Sequence, residues 1–537
     1  MKINLREISI LLAVFAVVFG IRIFWFTQKN GFHVDEGMTI AIANYKDYIV
    51  QKNYDYDREY TGREIKEISF TGNDSFIDML TDIKSLWKDN RDSPHTNLYY
   101  SLLRISLTGI KSADIKPIIF RGAVLNLILF TVSFIFFFML VRKLFPDSVL
   151  FQYTALLCAF LSTAAISNTM FLRPYQIQET MFIMLCYFFI KTIDLENNLL
   201  NKNKNFINCQ ILIFALITGI TLLTGYYAVI FIGLLGLYAV VIKCAEKRYL
   251  NLLFYFSVLV LGIIITNILY PKYFDGFSSY RGTETIRTVS ANFFENLKNS
   301  AAAAFTLLKD NFFSFRVTAL CLLCIGYLVF YKQKPVIQKH ALLIFIIAVL
   351  YFIITLIIAP YKVLRYGMPV FPFFVLLPLI IMNSMNNKSG KMAAVAAVLL
   401  CLYSLHGALN KNKIENLFIE KPDQYAFSQD AQTPVYIYMF YFKDWNYTAT
   451  WKYGNLVPYL NNDQKYYFIK DYEDINSSSF NEFYIVAENI PPLAEFTNTN
   501  FEVIDRYEIF TGEPETPSGI GNYFFCIKVR RAEQNGG

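Results

Sequence analysis

The sequence predicts an all-α membrane protein that crosses the bilayer about eleven times and ends in a small extracytoplasmic α/β domain. Three observations lead to this fold class. Hydrophobic residues make up 55% of the 537 positions and charged residues only 17%, a balance typical of polytopic membrane proteins. Most apolar residues lie in runs long enough to cross a bilayer as helices. Residues 410–537 differ, because short β-rich runs alternate there with turn residues.

The first apolar run extends from about Ile8 to Phe26. It is too long for the core of a signal peptide and no small-x-small cleavage site follows it, so we predict that it is retained as the first span. Residues 27–116 form a polar loop, within which Leu98 to Leu107 is amphipathic and short. We predict that this segment is a helix lying flat in the membrane interface. Further apolar runs, each predicted to be a span, begin near Ile118, Val149, Ile177, Ile207, Ala228, Leu250, Phe315, Ala341, Gly367 and Met392.

Charge gives the orientation of these spans, because cytoplasmic loops of membrane proteins are enriched in Lys and Arg. If the N-terminus is cytoplasmic, every short connection on that side is basic. These connections carry Arg142, Lys143, Lys191, Lys202, Lys204, Lys243, Lys247, Arg248, Lys332, Lys334, Lys339, Lys388 and Lys391. We therefore predict the N-terminus inside and the C-terminus outside. The net charge of +7 is scattered over these loops, so we predict no nucleic-acid partner.

The tail contains five runs that predict strands. They are Val435 to Met439, Tyr466 to Ile469, Phe483 to Val486, Glu502 to Ile504 and Tyr523 to Ile527. Asn446 to Tyr453 predicts a short helix. The chain is therefore predicted to form a membrane domain, residues 1–409, and an extracytoplasmic α/β domain, residues 410–537.

Several polar residues able to carry chemistry are predicted on the outer side. His33, Asp35 and Glu36 follow the first span within a few residues, which holds two carboxylates and an imidazole near the membrane surface. The alternative is an ordinary solvated loop. Arg173 and Arg365 lie at the outer ends of later spans, where a guanidinium can bind a phosphate through two hydrogen bonds. The alternative for these arginines is that they extend to lipid headgroups.

The order of these features resembles the membrane glycosyltransferases of the C-type superfamily, in particular the branch of protein O-mannosyltransferases and lipid A aminoarabinose transferases. The matching pieces are Asp35-Glu36, Ser93 to Tyr100, Arg121, Arg142 to Phe145, Arg173, and Arg365-Tyr366 with Pro369 and Pro372. The resemblance implies a hexosyl- or pentosyltransferase with a polyprenyl-phosphate sugar as donor and no nucleotide site. It also implies an inverting single displacement on the extracytoplasmic side.

The resemblance implies that Asp35 is the general base and that Glu36 orients the acceptor or a cation. We predict that the donor phosphate is held by Arg173, Arg365, Tyr366, Lys362 and Arg287. The acceptor side and the lining of the site are assigned to His33, His95, Tyr99, Tyr100, Arg121 and Tyr175. Two departures from the family pattern leave the sugar and the acceptor unnamed. His95-Thr96-Asn97-Leu98 stands where many relatives have a proline pair, and Gln176, Gln178 and Glu179 stand where an acid often follows the arginine.

We predict no metal or other cofactor. The alternative is a divalent cation near Asp35 and Glu36, with His33 and His95 as further ligands. The expected partners are the lipid-linked donor, the lipid bilayer, and a lipid, polysaccharide or protein acceptor. The expected location is a bacterial plasma (inner) membrane, with an extracytoplasmic active site.

The competing function is a transporter or flippase of lipid-linked sugars. The odd number of predicted spans, the lack of repeat symmetry and the expectation that no charged residue lies deep inside a span argue against it. A receptor or scaffold that displays the tail is a third class, but it would leave the outer arginines and carboxylates unexplained.

Overall fold

The computed structural model describes residues 5–46, 54–56, 58–72, 75–92, 95–110, 115–196, 204–278, 280–291, 293–333, 335–415, 417, 430–438, 456–469, 475, 479–487, 501–510 and 523–532. The helices are α1 (Leu5–Gln28), α2 (Val34–Ala43), α3 (Gly62–Phe70), α4 (Phe76–Lys88), α5 (Leu98–Leu107), α6 (Ile115–Leu144), α7 (Val149–Phe160), α8 (Thr163–Met170), α9 (Tyr175–Glu196), α10 (Lys204–Leu222), α11 (Ala228–Ala245), α12 (Leu252–Leu269), α13 (Tyr280–Ala291), α14 (Phe293–Asn311), α15 (Phe315–Phe330), α16 (Lys339–Ile358), α17 (Phe371–Phe374) and α18 (Leu376–Ala408). The strands are β1 (Glu59–Thr61), β2 (Val435–Tyr438), β3 (Lys465–Ile469), β4 (Glu482–Ala487), β5 (Phe501–Phe510) and β6 (Tyr523–Arg531).

The chain is a polytopic, mostly helical membrane protein. Among the described residues, seven helices are long and apolar enough to cross a bilayer, and two bent helix pairs raise this number to nine. The predicted total of eleven stays a prediction. Of the two predicted spans outside this number, α9 begins with the polar residues Gln176, Gln178 and Glu179, and α10 is fully described only over Cys209–Leu222. Both helices nevertheless lie where spans were predicted.

Three breaks interrupt the helical segments. Helices α7 and α8 meet at a 54° bend, and α14 and α15 meet at an 86° bend. Helix α18 is kinked at Ser389, whose φ of −145° and ψ of 73° are not helical. This kink separates the two final spans, Met368–Asn386 and Ser389–Ala408.

The segment from Pro271 to Asn311 lies between the spans predicted to begin near Leu250 and Phe315, and it is largely helical. Helices α13 and α14 occupy it. Helix α14 is held at the C-terminal end of α16, because Asn296 donates to the carbonyl oxygen of Ile357 at 2.8 Å. The last carbonyls of a helix lack intrahelical partners, and this contact gives one of them a partner.

Contacts within the helical bundle sort the helix ends into two sets. At one end the Tyr153 hydroxyl donates to the Glu7 carbonyl at 2.9 Å, and the Tyr238 hydroxyl lies 2.9 Å from His340 Nδ1. These are the ends predicted to face the cytoplasm. At the other end Trp25 Nε1 donates to a carbonyl at the C-terminus of α18 at 2.8 Å. Which set faces the cytoplasm stays a prediction.

Cysteine labelling tests this orientation. In a variant without native cysteines, a cysteine at Lys332, beside Lys334, should resist an impermeant maleimide in intact cells and react after permeabilisation. A cysteine at Tyr361, in the exposed turn after α16, should react in intact cells and serves as the control. Labelling of the Lys332 position from outside would contradict the orientation and the shared outer face. Position 334 itself lies outside the described residues.

Helix α5 has the predicted bounds, Leu98–Leu107. Tyr99 and Leu103 are buried while Ile105 is 52% exposed, as expected of an amphipathic helix. Its position flat in the membrane interface stays a prediction.

Five strands of the tail and one strand of the loop after span one form a six-stranded sheet in the order β1-β3-β2-β4-β6-β5. The central strands β3, β2 and β4 are parallel, whereas β1, β6 and β5 join antiparallel. All five predicted runs are strands of this sheet. The buried core includes Tyr436, Phe483, Ile485 and Val529. The helix predicted from Asn446 to Tyr453 lies outside the described residues.

The first strand of the sheet comes from the polar loop after span one, not from the tail. Tyr60 of β1 is in register with Tyr466 of β3, and α3 begins directly after β1. A side chain at Gly62 would meet the carbonyl oxygen of Asn461 at 1.9 Å, so only glycine allows this close approach.

The chain divides into two compact units. The helical unit comprises Met1–Thr27, Trp87–Tyr99 and Ala123–Glu415, and the loop–sheet unit comprises Gln28–Leu86, Tyr100–Gly122 and Asn416–Gly537.

Candidate active site

The predicted site residues fall into two groups, one in each unit. The loop–sheet unit contains His33, Asp35, Glu36, Tyr100 and Arg121, and the helical unit contains His95, Tyr99, Arg173, Tyr175, Arg287, Lys362, Arg365 and Tyr366.

The two predicted carboxylates lie in the first turn of α2, which begins directly after His33. The His33 backbone is extended, with φ −66° and ψ 152°. Its Nδ1 accepts a hydrogen bond from the Asp35 backbone N–H at 3.0 Å. A ring nitrogen that accepts carries no proton, so the imidazole proton is on Nε2. This cap satisfies one of the backbone donors that every helix N-terminus leaves unpaired, and it fixes the start of α2.

Glu36 completes the cap and is held by a buried cation. Its Oε2 accepts from the His33 backbone N–H at 2.7 Å. Lys29 Nζ lies 2.7 Å from Oε1 and 3.0 Å from Oε2. Both side chains are fully buried. Burial lowers the pKa of Lys29, and the nearby Glu36 carboxylate partly offsets this effect. The geometry therefore gives Glu36 a part in fixing the loop.

Asp35 differs from Glu36 in its exposure. Its side chain is 16% exposed, whereas that of Glu36 is 0% exposed. Side chains at neighbouring positions of a helix point about 100° apart. When the cap buries the Glu36 side chain, the Asp35 side chain therefore points in a different direction. A carboxylate near a helix N-terminus is also stabilised by the helix dipole. Asp35 is thus the member of the pair that retains contact with solvent.

The two other predicted residues of this unit do not join the α2 cap in the described contacts. Tyr100 is buried in a small apolar cluster with Ile42 and Leu86. Arg121 is exposed on α6, and its backbone carbonyl accepts from the Ser106 hydroxyl at 2.7 Å.

In the helical unit, Arg173 lies in the turn between α8 and α9 and contacts His95. Its Nη2 is 3.0 Å from His95 Nε2, and the guanidinium can only donate, so Nε2 accepts. The proton of a neutral imidazole is then on Nδ1, which lies 2.8 Å from the Asp92 carboxylate. Arg173 is 4% exposed. An Asp-His pair therefore orients the arginine from one side.

An aromatic cluster lies around Tyr366 in the same unit. The ring of Tyr366 packs edge-on against Tyr175 at 6.4 Å and against Tyr227 at 5.7 Å. The Arg365 guanidinium lies 5.5 Å from the Tyr366 ring centroid, within the range of a cation–π contact. Glu415 is also near Arg365: burial raises the pKa of Glu415, and Arg365 partly offsets this effect. The structure thus brings Tyr175, which was assigned to the acceptor side, together with Arg365 and Tyr366.

Lys362 and Arg287 are placed differently from these residues. Lys362 Nζ donates to the carbonyls of Ala359 at 2.7 Å and Ile357 at 3.3 Å. It therefore caps the C-terminus of α16, where a cation is favourable. Arg287 is exposed on α13, and no described contact joins it to the Tyr366 cluster.

Tyr99 reaches into the bundle. Its hydroxyl donates to Asn126 Oδ1 at 3.0 Å, and the residue is 1% exposed. It supports neighbouring helices and does not line an open surface.

Two charged residues lie buried in helices predicted to be spans. Arg22 of α1 and Glu179 of α9 are each 0% exposed. Arg22 lies near the end of its predicted span and Glu179 near the start of its own. The expectation that no charged residue lies deep inside a span therefore stays a prediction.

No group of three or more His, Cys, Asp or Glu side chains able to hold a metal ion occurs within the described ranges. The Glu36 oxygens contact Lys29, and His33 Nδ1 is used by the α2 cap. His95 contacts Arg173 and Asp92, so three of the four ligands considered for a cation are engaged by the protein itself.

Sequence reasoning missed Lys29, Asp92 and Arg22. Lys29 lies seven positions before Glu36, with the end of α1 between them. This spacing matches no regular pattern that would predict an ion pair. Asp92 lies in a polar loop rich in other candidates. Arg22 had a readable signal, since an ionisable residue inside an apolar run is a functional candidate by default.

The chain is similar to four solved chains. Two of them are of ArnT from Cupriavidus metallidurans, a lipid A aminoarabinose transferase. The structure bound to undecaprenyl phosphate has a TM-score of 0.46 and 10% identity, covering 97% of this chain and 98% of that one. The apo structure has a TM-score of 0.45 and 11% identity, with 97% of each chain covered. No family model and no curated protein matches the sequence.

Proposed function

We propose that the protein is an integral-membrane glycosyltransferase. It moves a sugar from a polyprenyl-phosphate donor to a hydroxyl acceptor on the extracytoplasmic side, with inversion at the anomeric carbon. The observation that carries this proposal is the start of α2. A cap and a buried ion pair hold Asp35 there directly after a membrane span, with its carboxylate in contact with solvent.

The acceptor step requires a base, because a hydroxyl is a weak nucleophile near neutral pH. In the proposed reaction the acceptor oxygen bonds to the anomeric carbon while Asp35 takes the hydroxyl proton. The bond from the anomeric carbon to the donor phosphate breaks in the same step. The products are the glycosylated acceptor and a polyprenyl phosphate.

The leaving phosphate gains a negative charge, because a phosphodiester becomes a phosphomonoester. Guanidinium groups stabilise such developing charge best when other groups hold them in place beforehand. Arg173 is oriented by His95, and Arg365 lies against Tyr366. We assign the donor phosphate to these two arginines. Lys362 adds positive charge nearby from the end of α16, and Arg287 remains a weaker candidate on the exposed face of α13.

We propose that no resident metal takes part. A cation at Asp35 and Glu36 would have to displace Lys29, which contacts both Glu36 oxygens inside the protein. We place the protein in a bacterial plasma membrane, with a lipid, polysaccharide or protein as acceptor.

A single assay separates the enzyme from a flippase. Purified protein is reconstituted with undecaprenyl-phosphate sugars, one hexose and one pentose at a time, and with a total envelope extract as acceptor. An enzyme should release undecaprenyl phosphate only when acceptor is present. A flippase would move the labelled lipid between leaflets and leave it intact. Release that is equal in Asp35→Asn protein would contradict the proposed base.

Arg365→Lys tests the donor contact. Lysine keeps the charge but loses the planar fork that binds two phosphate oxygens. We expect kcat/KM for the donor to fall about tenfold or more, with little change in melting temperature. Arg316→Lys, an exposed arginine at the start of α15, is the matched control and should behave as wild type. Equal activity in the Arg365 variant would mean that this arginine only extends to lipid headgroups.

A further inference from the structure

A series of polar contacts links Arg22 and Glu179, two buried charged residues of the helical unit, next to the turn that carries Arg173. Arg22 Nε donates to Thr169 Oγ1 at 3.0 Å. Thr169 Oγ1 lies 2.8 Å from Gln176 Oε1, and Gln176 Nε2 donates to Glu179 Oε1 at 3.1 Å. All four side chains are buried. Two opposite charges are thus joined through two neutral groups.

Two asparagines, Asn126 and Asn168, contact members of this series and hold the turn between α8 and α9. Asn126 Nδ2 donates to the carbonyls of Thr169 at 2.9 Å and Phe171 at 3.0 Å. Asn168 Nδ2 donates to Glu179 Oε2 at 2.9 Å. The last carbonyls of α8 and the first turn of α9 are therefore fixed from neighbouring helices. The four residues between these anchors, 171–174, include Arg173.

Arg22 is expensive to bury, since a charged group inside a membrane bundle loses its water. The structure offsets this cost with specific partners. Arg22 Nη1 donates to the Phe160 carbonyl at 2.9 Å, at the C-terminal end of α7, where the helix dipole favours a cation. The Phe130 ring centroid lies 3.8 Å from the guanidinium carbon. The bend between α7 and α8 exposes the carbonyl that Arg22 uses.

We propose that Arg22 and Glu179, acting through Thr169 and Gln176, are positioning residues. They fix the 171–174 turn and with it the direction in which Arg173 presents its guanidinium to the donor phosphate. This inference rests on the proposed role of Arg173. None of these four residues is proposed to touch the donor.

The test measures binding of undecaprenyl phosphate to purified, full-length protein. Thr169→Val keeps the shape of the side chain but removes the hydroxyl that bridges Arg22 and Gln176. We expect it to raise the Kd about tenfold, and Thr169→Ser, which restores a hydroxyl, to bind as wild type. In an Arg173→Ala background the Thr169→Val effect should disappear, because a mutant cycle shows coupling only where one residue acts through the other.

Thr192→Val is the control. It removes a buried hydroxyl of α9 that bonds to a carbonyl of its own helix at 2.8 Å, and it should leave the Kd unchanged. If Thr169→Val does not fold, Gln176→Met breaks the same bridge from α9. Wild-type binding by the bridge variants, or a loss that persists without Arg173, would overturn the positioning role alone. Wild-type binding by Arg173→Ala would instead overturn the proposed donor site.

Discussion

Asp35→Asn should reduce turnover by roughly a hundredfold or more, the usual size of a general-base contribution. Asparagine is nearly isosteric with aspartate but cannot accept the acceptor proton. The His33 cap bonds to the backbone N–H of position 35, so the substitution leaves the start of α2 in place. The loss should therefore appear in kcat, while binding of undecaprenyl phosphate and the melting temperature stay close to wild type.

Asp55→Asn is the matched control for this prediction. It removes the same charge from an exposed position of the same polar loop, and it should leave turnover unchanged. Wild-type turnover in Asp35→Asn protein would mean that the capped start of α2 is not the active site. A fall in both variants would point to the net charge of the loop and not to proton transfer.

The elements that the sequence predicts well are those with a local signal. Helix α5 has its predicted bounds because its apolar face repeats with a helical period. The five tail strands are recognisable because β-branched and aromatic residues cluster between turn residues. In contrast, β1 has only three residues, and its pairing with β3 joins positions about 400 apart in sequence, which no local pattern encodes.

The candidate site shows the same limit. The adjacent pair Asp35 and Glu36 was visible in the sequence. The sequence did not show that Glu36 is buried against a lysine while Asp35 keeps contact with solvent. This difference depends on Lys29, which reaches Glu36 across the end of α1 and the start of α2. The contact between Arg173 and His95 likewise joins positions 78 apart. The sequence therefore identified residue types suited to the chemistry. The tertiary contacts were needed to tell which of these residues are placed to react and which hold the others in position.

The span count illustrates a different limit. Charged residues make α9 a poor span by composition, yet Glu179 is fully buried. Its oxygens accept hydrogen bonds from Gln176 and Asn168. Hydropathy treats each residue as if it faced lipid, so it does not register polar groups that pair inside the bundle.

Lys29→Met should destabilise the protein by about 3–5 kcal/mol, because it leaves the Glu36 carboxylate buried without its cation. A large fall in melting temperature, measured in detergent, checks this expectation. Lys272→Met is the matched control. It breaks a lysine–carboxylate contact of 3.0 Å with Asp89 that is roughly half exposed, and such a surface pair contributes less than about 1 kcal/mol.

The double variant Lys29→Met/Glu36→Gln separates a supporting role for Glu36 from a catalytic one. Either single change leaves one buried charge unpaired, whereas the double variant removes both charges and should recover most of the lost stability. The amide oxygen that Glu36→Gln introduces can still accept from the His33 N–H, which Glu36 contacts at 2.7 Å, so the cap persists and Asp35 keeps its position. We therefore expect the double variant to regain turnover together with its fold. A stable but inactive double variant would mean that Glu36 itself takes part in the reaction, and Asp35 alone could not then account for the chemistry.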